Sequence, residues 1–162
     1  MDQGARRVFL FGWSMGAQVA LQLAARPRYG RLIAGLVLES PVLDWVATIK
    51  ANCARAGLPA AAGLLALPWL MSPLLARAVG LPGAISLGDL DWIARARELA
   101  VPTLILHGAH DDSAPPAVSR KLAALRPDLV QLEIFDADHT MTWNSGQERW
   151  RSTVAAWLSS RS

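Results

Sequence analysis

The sequence predicts the α/β class: a mostly parallel sheet of about four strands, with flanking helices and a helical insertion. Three observations carry this. The apolar run Val8-Phe9-Leu10-Phe11 enters Gly12-Trp13-Ser14-Met15-Gly16, and a helical pattern over 17–24 follows at once. Three more short apolar runs, at 32–39, 101–107 and 129–135, read as buried strands set apart by helical and turn patterns. The 162-residue chain is 52% hydrophobic and 18% charged, apolar enough for a core and too apolar for disorder.

The elements follow in chain order. Residues 7–11 (Arg7 to Phe11) form the first strand. Strand, G-x-S-x-G, helix is the arrangement that pushes a serine hydroxyl above a sheet on a sharp, strained turn. Gly12 and Gly16 lack a Cβ, so strand and helix are expected to approach closely on either side of Ser14. After the strand at 32–39 comes an insertion at about 44–90. Residues 56–76 of it carry no charge, which is long enough for a membrane span. Pro59, Pro68 and Pro73 break that stretch. A single span would also put Ser14 on one side of the membrane and the later loops on the other. We therefore expect helices beside the sheet, with no membrane span. An apolar insertion implies an apolar pocket, with Trp13, Trp45, Trp69, Leu70 and Met71 as candidate lining; packing on the sheet, or a lid touching lipid, are the alternatives.

Residues 92–99 read as a short amphipathic helix. A helix at 115–125 places Val118, Leu122 and Leu125 on one face. A last helix covers about 145–159, with Ser145 and Glu148 forming a capping box. Trp150, Val154, Trp157 and Leu158 repeat at helical spacing and are expected to pack on the sheet. Trp143 lies where it could shape the loop that follows the last strand.

A nucleophilic serine needs a base, and the base needs an orienting acid. The strand at 101–107 runs into His107-Gly108-Ala109-His110-Asp111-Asp112-Ser113-Ala114-Pro115. The strand at 129–135 runs into Asp136-Ala137-Asp138-His139-Thr140. Both loops leave the carboxyl ends of strands, the edge at which open α/β sheets build sites.

In these three motifs the chain resembles the α/β-hydrolase family. Gly12 to Gly16 is similar to its nucleophile elbow, 107–115 to its acid loop, and 136–144 to its histidine loop, in the order Ser, Asp, His. The resemblance implies Ser14 as nucleophile, Asp111 as acid and His139 as base. His139 is the only histidine after the acid loop. Asp112 adjoins Asp111, and Asp44, after the second strand, is a further candidate; the spacing from His107-Gly108 and to Pro115 favours Asp111. His107 is expected to hydrogen-bond within its turn, His110 to be solvated and Asp138 to serve the turn. The implied chemistry is acyl transfer through a seryl ester, with the Met15 N–H as one oxyanion donor. The implied substrate is a small carboxylic ester with an apolar acyl or alkyl group; amide hydrolysis and an inactive fragment are the alternatives.

In the family a second oxyanion donor comes from a loop after an earlier strand. Only Met1 to Arg7 precede the elbow strand here. Single domains of this kind run to about 200–250 residues. Residues 1–162 are therefore expected to be one truncated domain. The strand from Arg7 to Phe11 is then a sheet edge, which predicts self-association.

Composition excludes other classes. Formal net charge is +3 with no basic stripe interleaved with aromatics, which argues against nucleic acid. Cys53 is the single cysteine, so no internal disulfide forms; it is expected to be a small buried residue. No metal cluster or cofactor motif is evident, and neither is expected. The polar start carries no signal-peptide pattern, so a cytoplasmic location is expected.

Overall fold

A computed structural model describes residues 7–161. Its elements in order are β1 Val8–Trp13, α1 Met15–Ala24, α2 Pro27–Gly30, β2 Ile33–Glu39, α3 Trp45–Arg55, α4 Leu67–Met71, α5 Pro73–Ala78, β3 Thr103–Gly108, α6 Pro116–Leu125, β4 Val130–Phe135, α7 Thr142–Ser145 and α8 Gln147–Ser159. Short 3₁₀ turns occur at Ala62–Ala66, Gly88–Leu90 and Ala96–Glu98.

The strands form one parallel sheet in the order β1-β2-β3-β4. β2 and β3 are buried along their whole lengths. That is why both read as unbroken apolar runs: a central parallel strand has both faces covered. Alternate residues then divide between two cores. Leu36, Leu38 and Ile105 face α1 and α6, packing with Ala17, Leu21, Trp92 and Leu122. Val37, Leu104 and Leu106 face α8, packing with Phe135 and Trp157 and against Phe9, Trp150 and Val154. The tryptophans of the last helix are thus sheet-packing groups. Among the described residues β1 pairs with β2 alone, and Val8 and Phe11 are exposed.

Several local expectations are corrected. β1 extends through Trp13 rather than ending at Phe11. Residues 92–99 form turns and a single 3₁₀ turn instead of an amphipathic helix. The Asp91 carboxylate accepts the Ile93 and Ala94 N–H groups, which closes a local turn, and Trp92 is sunk in the core. Ser145 does not cap α8. Its hydroxyl donates to the Thr142 carbonyl and closes α7, and Gly146 stands at the start of α8. Cys53 is partly rather than fully buried.

Residues 56–76 contribute one 3₁₀ turn, α4 and most of the first turn of α5. No helix among the described residues is long and apolar enough to cross a membrane. The 3₁₀ turn at Ala62–Ala66 lies against α3. A Cβ on Gly63 would stand 2.5 Å from Ile49 Cγ2 and 2.8 Å from Cys53 Sγ.

Candidate active site

Ser14 occupies the turn between β1 and α1 with φ 50° and ψ −122°. A left-handed φ at a residue with a Cβ costs about 1–3 kcal/mol and persists only where the surroundings enforce it. Here they do. The Ser14 N–H donates to the Glu39 carbonyl at 2.9 Å, and the Ser14 carbonyl accepts from Ala17 N at 3.2 Å and Val42 N at 3.3 Å. The turn is therefore tied to the end of β2 as well as to its own helix. Gly12 is needed for this packing, because a Cβ there would lie 2.7 Å from the Gly16 carbonyl oxygen and 2.9 Å from Ala17 Cα. Gly16 differs from expectation: a Cβ on it would meet nothing within 4 Å.

Ser14 Oγ lies 2.9 Å from His139 Nε2, and His139 Nδ1 lies 2.7 Å from Asp111 Oδ2. The elbow, the acid loop and the histidine loop thus converge at the carboxyl ends of the parallel strands. β3 and the histidine loop meet at Gly108, where a Cβ would collide with the carbonyl oxygens of Ala137 and Asp138. The other candidate acids are placed elsewhere. Asp112 is exposed beside Arg55. Asp44 caps α3, its Oδ1 accepting the Ala47 N–H at 3.0 Å.

Asp111 is buried and accepts four hydrogen bonds. Oδ1 takes the N–H groups of Ser113 at 3.0 Å and Ala114 at 2.8 Å. Oδ2 takes His139 at 2.7 Å and His107 at 3.1 Å. Burial alone raises a carboxyl pKa. Here the hydrogen bonds from His107, His139 and the Ala114 N–H outweigh it and hold the Asp111 carboxyl well below the usual range. The group is a carboxylate at neutral pH, so it accepts from His139 Nδ1–H and leaves Nε2 as the acceptor facing the Ser14 hydroxyl.

His107 does more than close its turn. It is fully buried, with Nε2 2.8 Å from the Ala114 carbonyl and 3.1 Å from Asp111. Both partners are acceptors, so Nε2 carries the proton. Nδ1 is hydrogen-bonded to the Ser119 hydroxyl on α6 at 2.8 Å. The imidazole therefore braces the acid loop from within. His110 is exposed and pairs with Asp136 at 2.7 Å. The Asp138 carbonyl accepts the Met141 N–H within the turn.

Met15 is the first residue of α1, so its N–H is one of the orphan donors at a helix start. Trp13 is 60% exposed and borders a cavity of about 220 Å³ with Glu39 and Thr140. A larger cavity, about 380 Å³, is lined by Trp45, Ile49, Leu67, Leu70, Ile85 and Leu90, among other apolar groups. Trp69 and Met71 are not part of that lining, and each is about half exposed. The walls of this cavity are tethered to the site. Asn52 on α3 donates to the Ser113 carbonyl of the acid loop at 2.9 Å, and Gln18 on α1 donates to the Leu90 carbonyl at 2.9 Å.

Residues 1–156 match the model of the Alpha/beta hydrolase family. The chain belongs to that family. No curated protein sequence matches it. Among solved structures it is similar to the Pyrococcus furiosus esterase Pf2001, with TM-score 0.68 and 20% identity over 96% of this chain and 54% of that one. It is also similar to a Paleococcus ferrophilus monoacylglycerol lipase, with TM-score 0.58 and 22% identity over 99% of this chain and 71% of that one. An alpha/beta fold family hydrolase of Bacillus anthracis gives TM-score 0.63 and 16% identity over 93% and 67%. The chain thus spans about half the length of the Pyrococcus esterase. At these identities the likeness is one of fold. Glu39, Ser40 and Ser119, which hold the loops of this α/β hydrolase together, carry no motif, so sequence reading passes over them.

Proposed function

We propose that this chain carries the reacting groups of a serine hydrolase that works through an acyl-enzyme on carboxylic esters with an apolar acyl or alkyl group. The observation that carries the reading is the unbroken hydrogen-bond line from Ser14 Oγ through His139 to Asp111 Oδ2. Ser14 Oγ attacks the ester carbonyl while His139 Nε2 takes its proton. The tetrahedral oxyanion forms near the start of α1, where the Met15 N–H donates to it. His139 then protonates the departing alcohol. Water, deprotonated by the same nitrogen, attacks the acyl-enzyme and frees Ser14. Asp111 keeps Nδ1 protonated and stabilises the imidazolium.

The apolar cavity tethered to both α1 and the acid loop supports an apolar substrate group. A cytoplasmic location is part of the same proposal.

A fluorophosphonate probe tests it. Covalent labelling that disappears in Ser14→Ala and falls sharply in His139→Ala is the expected result. A folded, soluble wild type that takes no label would overturn the reading.

A further inference from the structure

The end of β2 touches both halves of the proposed serine–histidine pair. The Glu39 carbonyl accepts the Ser14 N–H at 2.9 Å. The Glu39 side chain, on the same residue, turns to the histidine loop. Its Oε1 accepts the Thr142 N–H at 3.0 Å and the Thr142 hydroxyl at 2.5 Å. Glu39 is 5% exposed and Thr142 is fully buried. The next residue repeats the link: Ser40 Oγ accepts the Thr140 N–H at 3.1 Å, and Ser40 is itself fully buried. Ser40 and Thr140 both have left-handed backbones, with φ 45° and 55°. Two consecutive residues thus grip the loop on the carboxyl side of His139.

We propose that Glu39 is a positioning residue that holds His139 against Ser14 by gripping Thr142; this rests on the serine-hydrolase reading above. The physical case is one of shared reference. Nothing in the histidine loop's own sequence sets its distance from the serine turn. Glu39 does, because its backbone holds one partner and its carboxylate the other. A carboxylate acceptor makes shorter and stronger bonds than a neutral one. Removing it would also leave two buried Thr142 donors unpaired, and the loop would shift to find them partners. A displacement near 1 Å at a reacting pair costs about 10²-fold in rate.

The test uses the full chain with ¹⁵N-labelled histidine, together with fluorophosphonate inactivation kinetics, for wild type, Glu39→Ala, Glu39→Gln and Thr142→Val. The His139 Nδ1–H resonance, assigned by its loss in His139→Ala, reports the hydrogen bond to Asp111 whether or not the chain reacts. In Glu39→Ala we expect that resonance to be lost to exchange while the His107 Nε2–H signal stays. We expect the maximal inactivation rate to fall about 10²-fold with the probe's half-saturating concentration unchanged. On a His139→Ala background the same substitution should have no further effect. Glu39→Gln, which still presents an acceptor oxygen, should keep the resonance and most of the rate. Thr142→Val has nearly the wild-type shape and should show a smaller loss of the same kind, even where Glu39→Ala does not fold.

Retention of the His139 signal and of the rate in Glu39→Ala and Thr142→Val would overturn the proposal. So would a further rate loss when Glu39→Ala is added to His139→Ala, since Glu39 would then act by another route. An unlabelled wild type overturns the serine-hydrolase reading instead, and the His139 resonance then decides the positioning role alone.

Discussion

His107 Nε2 lies 3.1 Å from Asp111 Oδ2, the same oxygen that receives His139 Nδ1. One carboxylate oxygen is therefore shared between a fully buried imidazole and one that faces the serine. His107 also bonds the Ala114 carbonyl and Ser119. Replacing it by leucine leaves those partners buried and unpaired. Each such group costs about 1–3 kcal/mol, so His107→Leu should lower the free energy of unfolding by at least that much. Urea melts at neutral pH would measure it, and an unchanged midpoint would contradict the bracing role.

The depressed pKa of Asp111 sets a pH dependence. Its folded value lies below its ordinary 3.8. The unfolded chain therefore binds the proton more readily, and the stability that Asp111 contributes is complete above about pH 4 to 5. It is lost as pH falls from there through the folded pKa. The stability gap between wild type and Asp111→Asn should be widest near neutrality and should narrow below pH 4. Denaturant midpoints of both proteins across that range give the test, and a gap that widens on acidification would contradict it.

The cavity between α3 and the segment bearing Leu67, Leu70 and Ile85 should select for chain length. Ala66 lines the same space, and Ala66→Trp places a large ring in it. Burying one methylene is worth about 0.8 kcal/mol, so shutting out four of them should cost on the order of 10²-fold in kcat/KM. Octanoyl and butanoyl esters compared on wild type and variant would show it. The octanoyl ester should lose most of its advantage, and the butanoyl ester should change little.

The outer edge of β1 predicts association. Among the described residues β1 pairs only with β2, and Val8 and Phe11 are each more than 40% exposed. An open edge offers unpaired N–H and C=O groups to another strand. Light scattering should show a mean mass that rises with concentration. Val8→Lys puts a charge on that edge and should shift the population toward monomer. A wild type that is monomeric at all concentrations would rule out this route.

The strands, their parallel class and the three loops were legible in the sequence for local reasons. Central strands with both faces covered must be apolar throughout, and 32–39 and 101–107 are. A serine on a sharp strand-to-helix turn needs a small residue behind it, and Gly12 supplies one. The histidine loop stood out because His139 follows the last strand directly. Local signals also misled. Residues 92–99 read as a helix and Ser145 as a helix cap, but Asp91 and Ser145 each spend their side chain on a short turn, and only the packing of Trp92 and the closure of α7 decide that.

The distances among Ser14, His139 and Asp111 were settled only by the tertiary structure, as was the bracing of the loops around them. Glu39 and Thr142 are 103 positions apart, Ser40 and Thr140 are 100 apart, and His139 and Ser14 are 125 apart. No periodicity or spacing in one chain encodes such pairs. They arise because a parallel sheet brings the carboxyl ends of all its strands to one edge, where buried polar groups must find one another once water is excluded.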